Sequence, residues 1–258
     1  MSRPIEIIIV NYNTRSDLLA CLASLHGAWP TTVDRVVVVD NGSTDGSVDA
    51  IRSAFPAVSV ISLDRNQGFG AANNTALRAS AAEFVLFLNS DTIVPPGAID
   101  GLHARAIARR AVAAGPKLID GEGRPEISFG RMLSPWSELL QKTRQRLAAS
   151  TAGAAQRYVD RLVAEERTVD WVSGACLLAH RESTLAAGGF DERYFCYAED
   201  VDLGFRLQLM GRTCRYVPDA VAYHLGSATS GVDSTFTKWI DANPASAHCS
   251  AQRPMRAR

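Results

Sequence analysis

Ile5-Glu-Ile-Ile-Ile-Val-Asn-Tyr-Asn13 crowds β-branched residues into one short run and then turns polar at once. A strand buried on both faces reads this way, and the polar exit is where an open α/β sheet offers groups to a ligand. The same shape recurs at Arg35–Val39, Val58–Leu63 and Glu83–Leu88. These runs end in Val39-Asp-Asn-Gly-Ser-Thr-Asp-Gly-Ser47, Leu63-Asp-Arg-Asn-Gln-Gly-Phe-Gly70 and Leu88-Asn-Ser-Asp91. Between the first two, Leu18, Leu22 and Leu25 share one face of a helix predicted over Ser16–Leu25, with Ser16 available as its N-cap. Two more helices are predicted at Ser47–Ala54 and Ala71–Ala79. The alternation specifies an α/β fold, a mostly parallel central sheet with flanking helices and a Rossmann-like nucleotide-binding half over residues 1–100.

Beyond Gly101 the pattern weakens as far as Thr168. An Ala/Arg-rich helix, the stretch Gly115-Pro-Lys-Leu-Ile-Asp120 and a polar helical stretch follow one another, and this part is expected to vary in structure and to line an acceptor site. Val169–Ala179 reads as one strand broken by Gly174, where a backbone can approach a ligand closely. A helix over Glu199–Met210 and a strand over Cys214–His224 complete a single unit of residues 1–230, whose second half is 101–230. Residues 231–258 are Ala-, Ser-, Pro- and Arg-rich without periodicity and are expected to be poorly ordered.

The whole chain of 258 residues is long enough to bury one large α/β core, and 47% hydrophobic with 21% charged residues excludes large-scale disorder. Lysines plus arginines equal aspartates plus glutamates, so no global field recruits nucleic acid or an anionic membrane. Any anionic ligand has to be held locally. Cys21, Cys176, Cys196, Cys214 and Cys249 are widely spaced and form no C-x-x-C pair, which reads as reduced thiols. The apolar run after Met-Ser-Arg-Pro4 is too short for a signal peptide, and no stretch approaches the roughly 20 apolar residues of a membrane span. The expected location is the cytoplasm, with room for peripheral docking on the inner face of the membrane.

The polar exits carry the chemistry. A carboxylate just past a buried strand is placed to accept hydrogen bonds from a ribose or base, as Asp40 is, or to ligate a metal, as Asp91 is. Taken singly, Asp40-Asn-Gly-Ser43 is also an ordinary turn leading into a helix cap. Gly68-Phe-Gly70 permits a tight entry to a helix whose first N–H groups face outward, and Arg65 adds charge for a phosphate. Glu199, Asp200 and Asp202 sit in or just before the first turn of a helix, where the macrodipole favours acids. Tyr194, Phe195 and Tyr197 precede them, and partial desolvation by aromatic rings raises a carboxyl pKa in the direction a general base needs. His224, at a strand end, is by itself as suited to structure as to ligation.

Together these segments resemble the family-2 glycosyltransferases of GT-A fold, particularly the rhamnosyltransferase-like bacterial branch that builds cell-surface polysaccharides. The resemblance runs from Ile5 to Thr229 through motifs in one order: Val10-Asn-Tyr-Asn13, Asp40–Ser47, Asn66 to Asn74, Leu88-Asn-Ser-Asp91, Trp171 with Gly174, Phe190-Asp-Glu192 with Phe195, Glu199-Asp-Val-Asp-Leu203 with Arg206, and His224 with Gly226 and Ser227. It implies an inverting, metal-dependent transfer of a sugar, with rhamnose suggested by the branch, from a nucleoside-diphosphate sugar to a glycan or lipid-linked acceptor. By the same resemblance, Asn11, Tyr12, Asp40, Arg65, Asn66, Gly68, Asn73 and Ser90 surround the donor, and Trp171 and Gly174 the acceptor. Asp200, paired with Glu199, matches the general base. Asp91 matches the ligand of a divalent metal, Mg²⁺ or Mn²⁺, with Asn89 and His224 beside it. The first position of the D-x-D motif is Asn89 here, which leaves the metal one carboxylate fewer.

Two other readings stay open on sequence. A nucleotidyltransferase also joins a nucleotide-binding sheet to metal-binding acids, but its glycine-rich basic loop after the first strand is replaced by Asn11-Tyr-Asn-Thr14. A catalytically degenerate glycosyltransferase-like binding protein is opposed by the presence of both Asp91 and Asp200. After the histidine, Thr237-Lys-Trp-Ile-Asp-Ala-Asn-Pro244 departs from the amphipathic helices that members of the branch carry there.

Overall fold

A computed structural model describes residues 5–26, 32–132, 135–148 and 153–226. The expectations for the tail and for Ser227 lie outside these residues. In chain order the elements are β1 (Ile5–Asn11), α1 (Arg15–His26), β2 (Val33–Asp40), α2 (Ser47–Ala54), β3 (Ser59–Ser62), α3 (Phe69–Ala79), β4 (Phe84–Asn89), β5 (Thr92–Ile93) and α4 (Ala98–Ala108). There follow β6 (Ala113–Asp120), β7 (Phe129–Gly130), α5 (Pro135–Ala148), α6 (Gly153–Val163), β8 (Arg167–Val169), β9 (Trp171–Val172), β10 (Cys176–His180), α7 (Arg181–Ala186), α8 (Glu199–Leu209) and β11 (Cys214–His224).

The main sheet runs β3-β2-β1-β4-β10-β6-β11-β5, with β8 also paired to β11, and β7 and β9 form a small second sheet. From β3 to β4 every pairing is parallel, as is β6 with β11, while β10 runs antiparallel between β4 and β6. Strand order therefore reverses between β1 and β4, and a crevice opens there at the carboxyl ends of the strands. The register brings the polar exits level: Asn11 pairs with Asp40, Val10 with Asn89, and Asp40 with Ser62.

Alternation along each strand builds a core on both faces. Ile5, Ile7 and Ile9 of β1 join Val36 and Val38 of β2, Leu86 and Leu88 of β4, and Leu18, Leu22 and Leu25 of α1. Ile8, Val37, Val39, Val85 and Phe87 face the other way, against Ala72, Ala76 and Leu77 of α3 and Leu203 and Leu207 of α8. With both faces buried, the strands read as nearly continuous apolar runs.

Three expectations change. Helix α1 begins at Arg15, with the Thr14 carbonyl accepting from Leu18 N–H at 2.9 Å, so Ser16 lies inside the first turn and does not cap it. Val169–Ala179 is three short strands instead of one: Asp170 and Ser173 donate their N–H groups to Gly130 and Ser128, which draws this stretch to the small sheet before β10 joins the main one. The weakly patterned region beyond Gly101 supplies a central strand, β6. Pro116 concealed it, because proline is ordinarily absent from such a position. It is tolerated here where the β6–β11 register slips, Val217 pairing with Pro116 and Val221 with Lys117. Among the described residues no helix is long and apolar enough to cross a membrane.

Candidate active site

The exits of β1 and β2 are locked to each other. Asn11, fully buried, donates from Nδ2 to Asp40 Oδ1 at 2.8 Å and to Ser43 Oγ at 3.0 Å. Its Oδ1 accepts from Thr14 Oγ1, which lies 2.8 Å from the Ser90 hydroxyl. Asp40 Oδ2 accepts from the Ser43 backbone N–H at 3.1 Å. Asp40 is thus a turn residue, as its local sequence allows, and also the centre of a network joining three strand exits. Asn41, buried beside it, ties this end to the next loop, donating to Asn66 Oδ1 at 2.8 Å and accepting from Gln67 N–H at 2.9 Å. Gly42 lets the two loops touch, since a Cβ there would stand 2.8 Å from the Arg65 Cα. Tyr12 and Arg65 remain exposed at the rim.

The turn into α3 does less for an anion than its sequence suggests. Its first N–H, on Phe69, donates to the Phe195 carbonyl at 2.8 Å. Gly68, at φ 91°, is required by that contact, because a Cβ would come within 2.5 Å of the same carbonyl oxygen. Asn73 is fully buried with Nδ2 on its own helix at Phe69 O, 3.0 Å away, and Oδ1 has no hydrogen-bond partner. Asn74 instead clamps the loop before the acid pair, holding Phe190 through N–H and carbonyl at 2.9 and 2.8 Å. Arg206 completes the clamp by donating to the Ala187 and Gly189 carbonyls.

Asp91 is 2% exposed and lies with Oδ1 3.5 Å from His224 Nε2, and Asn89 Nδ2 is 3.3 Å from the same ring nitrogen. On the far side of the ring, Nδ1 lies 3.2 Å from both oxygens of Glu126, a residue that sequence reasoning missed. Burial opposes charge on His224, but hydrogen bonds to Asp91 and Glu126 outweigh it and lift the pKa of the metal-free ring to about 10, so a cation bound at Nε2 has to displace the proton there. The Asp91 carboxylate is the kind of oxygen ligand that Mg²⁺ and Mn²⁺ favour, with an imidazole and an amide side chain beside it at the strand ends. Among the described residues no three His, Cys, Asp or Glu side chains converge as a complete metal cage. A cation held here would have to take its remaining ligands from outside these side chains.

Asp200 Oδ2 accepts from the Gly174 N–H at 2.9 Å, and Oδ1 from the Val201 N–H at 2.8 Å. Gly174, expected beside the acceptor, is hence the group that aims this carboxylate. The adjacent Ala175 carbonyl accepts from the Asn89 N–H at 3.0 Å and from Thr92 Oγ1 at 3.4 Å. One dipeptide thus joins the Asn89-Ser-Asp91 exit to Asp200. Burial raises the pKa of both members of the acid pair, and for Glu199 the neighbouring Asp200 adds to it. Tyr194 is buried, whereas Phe195 and Tyr197 are exposed. Of the three rings, then, only Tyr194 is withdrawn from water.

Trp171, the other residue expected at the acceptor, is committed to packing. Its ring covers Gly130, where a Cβ would sit 2.6 Å from it, and its indole N–H donates to the Arg131 carbonyl at 3.3 Å. That leaves it no spare donor, and close packing of the small sheet on α8 claims the side chain at Gly204 as well.

Comparisons with known proteins agree with this architecture. Residues 6–157 match the model of a family described as glycosyl transferase family 2. The chain is 34% identical over 245 residues to the N-acetylglucosaminyl-diphospho-decaprenol L-rhamnosyltransferase of Mycobacterium tuberculosis, covering 90% of this chain and 80% of that protein. It is 28% identical over 233 residues to the O-antigen biosynthesis protein RfbC of Myxococcus xanthus, covering 88% of this chain and 18% of that protein. In fold it is similar to GalNAc-T7 solved with UDP, GalNAc and Mn²⁺, with TM-score 0.63 at 17% identity, covering 86% of this chain and 44% of that one. It is equally similar to the mannosyltransferase PcManGT of Pyrobaculum calidifontis in complex with GDP-Man and Mn²⁺, with TM-score 0.63 at 19% identity, covering 98% of this chain and 65% of that one. With the family model spanning more than half of its length, the chain belongs to glycosyl transferase family 2.

Proposed function

We propose that this chain is an inverting, metal-dependent glycosyltransferase that moves a sugar from a nucleoside-diphosphate donor to a hydroxyl of a glycan or lipid-linked acceptor during cell-surface polysaccharide synthesis. Rhamnose is the favoured sugar and a polyprenyl-diphosphate-linked glycan the favoured acceptor, on the likeness to the mycobacterial enzyme. The observation that carries the reading is the Gly174-Ala175 dipeptide, which ties the Asp91 exit and Asp200 into one unit. Metal acid and base are needed in a single reaction, and this dipeptide is hydrogen-bonded to Asp200 on one side and to Asn89 and Thr92, which bracket Asp91, on the other.

In this reading Asn11, Asp40 and Ser90 shape the nucleoside end of the crevice, and Tyr12, Arg65 and Asn66 its rim. Residues 1–100 form the donor half and 101–230 the acceptor half of one catalytic unit, working in the cytoplasm against the inner face of the membrane. Asp91, His224 and Asn89 hold the cation, which when bound supplies positive charge against the departing diphosphate. Asp200 takes the proton of the acceptor hydroxyl. The freed oxygen bonds to the anomeric carbon as the bond to the nucleoside diphosphate breaks on the opposite face, so configuration inverts. Burial suits Asp200 to this task, since a carboxyl raised toward neutrality is a stronger base than an exposed one.

The test is sugar transfer from a panel of nucleoside-diphosphate sugars, with the anomer of the product read by NMR. Asp200→Asn is expected to lower turnover by a factor on the order of 10²–10⁴, the usual worth of a general base. Asp91→Ala should lose turnover together with its response to Mn²⁺. Equal rates for wild type and Asp200→Asn would falsify the base assignment, and a retained anomer would reject inversion.

A further inference from the structure

His224 is held from both sides. Its Nε2 faces Asn89 and Asp91, while Nδ1 lies 3.2 Å from each carboxylate oxygen of Glu126. A ring engaged at both nitrogens has one orientation, and which nitrogen faces the acids is decided by what the other one meets.

Glu126 reaches this position through a tight turn. After β6, Asp120 Oδ1 accepts from the Glu122 and Arg124 N–H groups at 2.9 and 2.8 Å, and Gly123 takes φ 80°. The chain folds back, and Glu126 N–H donates to the Leu118 carbonyl at 2.9 Å. The other side of β6 carries β11, where Asp120 pairs with His224. Glu126 and His224 thus flank the end of one strand, each fixed by backbone. Among the described residues no lysine or arginine forms a salt bridge with Glu126; Arg124, its near neighbour, is taken by Asp120 and Glu122.

We propose that Glu126 is a positioning residue for the metal end of the site: it accepts the Nδ1 proton of His224 and so presents Nε2 to a divalent cation shared with Asp91. The inference rests on the metal reading given above. A carboxylate behind a ligating histidine fixes the ring and makes it a better donor, and loss of such a partner costs about 10- to 100-fold in metal affinity.

The experiment is titration of the full chain with Mn²⁺ alone, following the free ion by electron paramagnetic resonance, with metal-free thermal melts to report folding. Glu126→Ala is expected to weaken Mn²⁺ binding about 10- to 100-fold. Glu126→Gln keeps an oxygen for the Nδ1 proton and should recover most of that loss. In a His224→Ala background, Glu126→Ala should add nothing further, because coupled residues are not additive. Wild-type affinity in Glu126→Ala, or an equal further loss without His224, overturns the proposal. If Glu126→Ala does not fold, Glu126→Gln decides: affinity at or within a few-fold of wild type supports the proposal, and a loss as large as that of His224→Ala rejects it. Equal Mn²⁺ binding by wild type and Asp91→Ala is a different result, which removes the metal reading and this inference with it.

Discussion

Glu199 is 6% exposed and its Oε2 has no hydrogen-bond partner, so the folded chain keeps this acid at a cost when it is charged. Burial first, and then the charge of Asp200, raise its pKa above the ordinary 4.5. The folded state therefore holds the proton more tightly than the unfolded one, and stability declines as pH rises above that value. Glu199→Gln removes this dependence. Melting temperatures of the two proteins should be close below pH 4.5 and separate in favour of the glutamine variant as pH rises; a constant gap across pH would contradict the assignment. The acid pair was legible because aromatic residues, adjacent acids and a helix start coincide in a few positions. Glu126 was not legible, because its partner His224 lies 98 residues away and only the turn at Asp120–Arg124 brings them together.

Among the elements, the start of α3 is the most constrained. Gly68 combines a left-handed φ with a carbonyl 2.5 Å from where a Cβ would stand. Gly68→Ala should cost about 1–3 kcal/mol, the usual range for backbone strain of this kind. For a chain of this size that is a fall in Tm of roughly 2–12 °C, checked by calorimetry. An unchanged Tm would mean that the 195 loop can retreat from α3 freely. Strands β1, β2 and β4 could be read from sequence because burial on both faces leaves an uninterrupted apolar run. β6 could not, since its Pro116 is acceptable only at a register slip set by another strand. The break at Gly174 was legible between β8, β9 and β10, but its reason was not, because nothing local announces that Gly174 gives its N–H to Asp200 instead of to a sheet.

For the whole molecule, a ligand that binds only the folded chain raises its stability with concentration. A nucleoside diphosphate with Mn²⁺ at a hundred times its Kd should add about 2.7 kcal/mol, a rise in Tm of roughly 5–11 °C. A panel of bases in a thermal-shift assay names the nucleotide, and no response to any of them would remove the donor site. The fold followed from the apolar runs, and register brings level the strand exits at which the proposed site is placed. The identities of donor and acceptor were not legible, because the exposed rim side chains are not constrained by packing. The shared dipeptide at Gly174-Ala175 also limits how such a chain can diversify. A substitution that displaces Gly174 or Ala175 disturbs Asp200 and the Asn89 exit at once, so variation in specificity is expected at the exposed margin, in Tyr12, Arg65, Phe195 and Tyr197.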